Sequence, residues 1–114
     1  MPVKGAHLTI AGAVMSWPGV TKHRHRFGGE EYRLGERREI GHVHGDAVVD
    51  IPVPIKLRDE WIEAGQAEPH QALPEIGAVS ITLREPADVA RAVELLRVSF
   101  EMAVEQKTRG SVRG

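Results

Sequence analysis

The chain has 114 residues, 41% hydrophobic and 27% charged, with no cysteine. That length suits one domain with its own core, and the missing cysteines exclude disulfides, thiolate metal sites and cysteine nucleophiles. Lys and Arg number 15 against 16 Asp and Glu, so no bulk charge pulls the chain toward nucleic acid or a membrane surface.

Met1 to Trp17 lacks a basic run followed by an apolar core, so no signal peptide is expected. No apolar run is long enough to span a bilayer. A soluble, cytoplasmic protein of one domain, residues 1–114, is the expectation. Leu8, Ala11 and Met15 recur at helical spacing, with Ile10 and Val14 as a neighbouring row, which predicts a helix over 6–16. Trp17-Pro18-Gly19 stops it. Residues 20–27, VTKHRHRF, alternate Thr21, His23, His25 and Phe27 with Lys22, Arg24 and Arg26. So charged a strand suits a sheet edge, and Gly28-Gly29 bends it into the next.

From Gly28 to Pro54 short alternating runs break at Gly35-Glu36 and Gly45-Asp46, which predicts antiparallel strands joined by tight turns. His42 and His44 stand two apart in the middle run and share a face with Ile40. A two-residue turn at Gly45-Asp46 would set His44 opposite Ala47, His42 opposite Val49 and Ile40 opposite Ile51. This is the more apolar face, so the helices are expected to cover it, with both imidazoles near its mouth.

Leu57, Trp61 and Ala64 predict a helix over 55–64, with Gly65 where a C-cap glycine belongs. Pro69 and Pro74 make 66–77 a loop, and 78–83, AVSITL, is a strand. Pro86 and Asp88 open a helix over 86–105, whose stripe is Val89, Val93, Leu96 and Phe100. Residues 110–114 are expected to fray. The sum is an α+β fold: a mainly antiparallel sheet of four or five strands, the meander 20–52 plus 78–83, covered on one face by helices.

Several segments resemble a known family: WPGVT at 17–21, HRFGGEEYRLG at 25–35, REIGHVHG at 38–45, VDIP at 49–52, LRDEWIEAGQAEPHQALPE at 57–75 and DVARAVELLRVSFE at 88–101. Together they resemble the small luciferase-domain family, which includes the fungal luciferases and shorter bacterial and archaeal relatives. The resemblance implies oxidation of an enolisable hydroxypyrone or phenolic compound by dioxygen, with no metal or organic cofactor. Two positions depart from the family pattern: Gln71 stands where a second histidine is frequent, and Ala78 where a tryptophan is.

His42, His44 and His70 are the candidate catalytic residues, since an imidazole moves protons near neutral pH. Arg58 is a candidate to bind the resulting anion. Glu31, Asp50, Tyr32 and Trp61 are candidates for substrate binding. The bland alternative is that His42 and His44 are half-buried strand histidines satisfied by backbone, Glu31 or Asp50. His-x-His is also a metal-ligand spacing, but Val48 and Val49 stand where cupin-type barrels place a glutamate, so no metal is expected. The run Lys22, Arg24, Arg26, Arg33, Arg37 and Arg38 reads as a solvated edge rather than a nucleic-acid surface, because few aromatics accompany it. The expected partner is a small-molecule ligand, with a homodimer left open. A non-catalytic binding module or a structural protein is the alternative function.

Overall fold

The computed structural model describes residues 2–113, with side chains through Arg109. The strands are β1 (Val20–Arg24), β2 (Glu30–Leu34), β3 (Arg38–His44), β4 (Val48–Pro52), β5 (Glu68–Pro69) and β6 (Ala78–Thr82); the helices are α1 (Ala6–Val14), α2 (Ile55–Glu63) and α3 (Pro86–Arg113). One antiparallel sheet has the order β1-β2-β3-β4-β6-β5. The α+β class and the antiparallel sheet are as the patterning predicts. The two residues of β5 add a short edge strand inside the segment read as loop. No helix among the described residues is long and apolar enough to cross a membrane.

Helix α3 buries Val89, Ala92, Leu96, Phe100 and Ala103 and packs against β2, β3, β4 and β6. Burying an aliphatic or aromatic side chain contributes about 1.5–3 kcal/mol each, so this row anchors one sheet face. Its N-terminus is held by Asp88, whose Oδ2 accepts from the Arg84 and Glu85 N–H groups, satisfying donors that a helix start leaves free. The backbone stays helical past 105; the fraying expected at 110–114 falls outside the residues whose side chains are described. Helix α1 packs against α3, but it buries Ala6, Ile10 and Val14, and Leu8 and Met15 are exposed. Of the expected row of Leu8, Ala11 and Met15, only Ala11 therefore packs against the core, and it does so half-buried. The i, i+4, i+8 row of Ala6, Ile10 and Val14 is the one buried in the core. Helix α2 packs against β5 and β6, and Gly65 after it takes φ 74°, the left-handed value expected of a C-cap glycine.

Two local irregularities decide which side chains face the helices. First, the β3–β4 turn has three residues, 45–47, rather than two, so His44 pairs with Val48, Val43 with Val49 and His42 with Asp50. Second, β3 carries a bulge: Tyr32 pairs with Gly41 and Arg33 with Glu39, which leaves Ile40 between them as the extra residue. The bulged Ile40 turns into the core, where it is fully buried, and its carbonyl accepts from the buried Ser99 hydroxyl of α3.

The helix-covered face consequently carries Tyr32, Gly41, Val43, Val49 and Ile51. A Cβ on Gly41 would strike Leu96 and come within 3.0 Å of the Asp50 carbonyl, so only glycine lets α3 lie this close. His42 and His44 lie on the opposite face, with Asp50 and Ser80. The expectation that the helices cover the histidines is corrected here: one extra turn residue changes the register, and period-2 alternation carries that change to every partner.

Candidate functional site

β3 and β4 bring His42, His44 and Asp50 together on this second face. Asp50 is buried, and its Oδ2 lies 3.0 Å from His44 Nε2, 3.1 Å from His42 Nε2 and 3.8 Å from His70 Nε2. Its other oxygen accepts from the Ser80 hydroxyl across the β4–β6 ladder. His70 arrives from the segment after β5, and its Nδ1 accepts from the Leu73 N–H at 3.1 Å. In the neutral ring its Nε2 therefore carries the proton that faces Asp50.

His42 is held on both sides, since its Nδ1 lies 2.8 Å from Glu39 Oε2. Burial alone would lower its pKa, but the hydrogen bonds to Asp50 and Glu39 outweigh that and raise it to about 9. Burial likewise works to raise the Asp50 pKa; hydrogen bonds from His42 and Ser80 overcome it and hold the carboxyl at about 2. At neutral pH the pair is an imidazolium against a carboxylate. His44 is more open than His42, with 35% of its side chain exposed against 14%, and no residue among those described bonds its Nδ1.

A fourth imidazole joins from the other end of the sheet. His25 stacks on His42, ring centroids 4.0 Å apart and planes 16° from parallel. Its pKa is lowered by burial first and by the charge of His42 second. The chain gets there because β1 ends at Arg24 and turns: the Gly28 N–H donates to the His25 carbonyl, the His25 N–H donates to the Gly29 carbonyl, and Gly28 and Gly29 both take positive φ. Gly29 packs so tightly on the Val43 carbonyl that a Cβ would collide with it. Glu31 serves His25 and Arg33 together, at 3.8 and 2.5 Å.

Over this cluster opens a cavity of about 530 Å³, lined by His25, His42, His44, Asp50 and His70, with Phe27, Val48, Gln71, Ala72, Leu73 and Ile76 supplying the rest of the wall. Of the sequence candidates, His42, His44, His70 and Asp50 therefore meet in one cleft, and Glu31 stands behind it beside His25. Three candidates do not reach it. Tyr32 is fully buried on the helix side and donates to Glu30, where burial raises its pKa. Trp61 packs against the core from α2. Arg58 bonds Asp59 and the Ile76 carbonyl. The turn register and the tertiary packing of α2 decide these placements.

Sequence reasoning missed His25, Phe27, Glu39 and Ser80. The double glycine at 28–29 was the available signal for His25, since two positive-φ residues fold the chain back over β3. Glu39 gave none: in an unbulged strand it would face away from His42.

A model of the luciferase domain matches residues 37–99, from the β2–β3 turn into α3. The chain belongs to the luciferase-domain family. The matched span holds His42, His44, Asp50 and His70, while His25 and Glu31 precede it. No curated protein and no solved structure matches the chain.

Proposed function

We propose that this luciferase-family chain binds a small, planar, acidic ring compound in the cleft and promotes its reaction with dioxygen. The observation that carries this reading is a largely apolar cleft with one polar wall, the imidazoles gathered on Asp50. The Nε2–H of His44 donates a hydrogen bond to the Asp50 carboxylate, which leaves His44 Nδ1 free to remove an enol or phenol proton. The imidazolium of His42 lies beside the anion that forms and holds its charge. Phe27, Leu73 and Ile76 give the cleft an apolar wall for a planar ring to lie against. The substrate supplies the electrons that reduce dioxygen; the protein moves one proton and steadies one charge. A hydroxypyrone or polyphenol has the required acidity and planarity, and the family membership supports that class.

Oxygen uptake with a panel of hydroxypyrones and catechols tests the reading. The expected result is a rate above the protein-free control, with most of the excess lost in His44→Ala. Binding without any excess uptake, seen as ligand-induced fluorescence or melting changes, would make the domain a small-ligand-binding module instead.

A further inference from the structure

We propose that His42, His44 and Asp50 form a binding site for one divalent first-row transition ion, on the two-histidine, one-carboxylate pattern. This goes beyond the oxidation reading and does not rest on it: the ion takes the place of the protons that the two Nε2 atoms share with Asp50 in the metal-free site. One ligand atom from each of the three residues lies within 4.8 Å of the others. His42 and Asp50 are direct partners across β3 and β4, and His44 is two residues along the same strand. All three side chains therefore leave one sheet face together and approach an ion from one side. The remaining coordination positions open into the cleft, as in sites that keep room for a second ligand.

The surroundings of the ligands fit the same reading. Glu39 faces His42 Nδ1, so the proton can stay on that nitrogen and leave the Nε2 lone pair aimed toward Asp50. A carboxylate behind a ligating histidine is a recurrent support for a bound metal. Ser80 fixes the far oxygen of Asp50, which orients the near one. His44 Nδ1 is unbonded among the described residues, so His44 can hold its proton there and turn its own Nε2 lone pair inward. Two Nε2 atoms at 3.0 and 3.1 Å from one carboxylate oxygen each need a proton or a cation between themselves and that oxygen. A divalent ion meets that need as readily as protons do. His70 is not a ligand in this arrangement, because its Nδ1 accepts from Leu73 and its Nε2 keeps a proton. The sequence argument against a metal looked for a carboxylate at positions 48–49. The three-residue turn provides one at Asp50 instead.

Chelator-stripped protein titrated with Co²⁺ and Zn²⁺ tests this without any organic substrate. The expected result is one equivalent bound, a visible Co²⁺ ligand-field band, and a melting temperature that rises with metal concentration. His44→Ala and Asp50→Asn each abolish the band, and Glu39→Gln weakens binding roughly 10-fold. The proposal is overturned if Co²⁺, Zn²⁺, Mn²⁺ and Fe²⁺ all leave spectrum and melting unchanged. It is overturned equally if a His42→Ala, His44→Ala double variant with native circular dichroism binds as tightly as wild type.

Discussion

The two faces of the sheet are built from the same strands but solve opposite problems. The face under α3 carries Val43, Val49, Ile51, Val79 and Ile81, all nearly or fully buried, and its few polar groups, such as Ser99 on the Ile40 carbonyl, are spent on the fold. The other face gathers His25, His42, His44, Asp50 and His70 around a cleft. It concentrates charge that the core could not hold, with Asp50 held by His42, His44 and Ser80, and His42 held also by Glu39. Stability should therefore reside mainly on the first face and function on the second.

The largest effect should come from breaking the first face. Leu96 is fully buried beneath Gly41. Leu96→Ala leaves a cavity there that the sheet cannot close, at a cost of about 2–5 kcal/mol. A urea melt measures it directly; a change under about 0.5 kcal/mol would show α3 to be peripheral and the contrast between the faces false.

Next comes the electrostatic cluster, read through pH in metal-free protein. The His42 pKa rises from 6.5 to about 9 on folding. Its contribution is therefore fully present below pH 6.5 and is lost as pH climbs through about 9. The Asp50 pKa falls from 3.8 to about 2, so its contribution is present above 3.8 and is lost as pH drops toward 2. Wild type should lose melting temperature between about pH 6.5 and 9 relative to His42→Gln, which has no proton there to lose. Parallel curves for the two proteins across that range would mean His42 titrates as a free histidine.

How much of this was legible in the sequence follows from the kind of signal each face leaves. The α3 stripe and the strand order of the meander rest on periodicity, which needs no partner to be read. The pairing of His42 with Asp50 rests on one extra turn residue, Ala47, and the place of Glu39 rests on a bulge at Ile40. Neither irregularity changes the hydrophobic pattern enough to announce itself. The sequence suggested that His42 and His44 belong together, and it assigned them to the wrong face. Arg58 and Trp61 were drawn in by being near the motifs along the chain; in the fold they lie on α2, away from the cleft.

The smallest expected stability effect is at the rim of the second face, where Phe27 is 75% exposed yet lines the cleft. It touches His25, with ring centroids 5.7 Å apart, and the Arg26 guanidinium lies 4.8 Å from its ring centre. Neither contact buries it, so Phe27→Ser should shift stability by less than about 0.5 kcal/mol. A planar ligand lying against the histidines would cover that ring. Losing the ring should then weaken binding by on the order of 1 kcal/mol, roughly fivefold. Leu8 is the matched control: it is 66% exposed on α1 and lines no part of the cleft. Leu8→Ser should leave both stability and ligand affinity nearly unchanged. If Phe27→Ser and Leu8→Ser behave alike in a ligand titration, the apolar mouth is ordinary exposed surface. If only Phe27→Ser loses affinity while both proteins melt as wild type does, the mouth belongs to the binding face and contributes nothing to the fold.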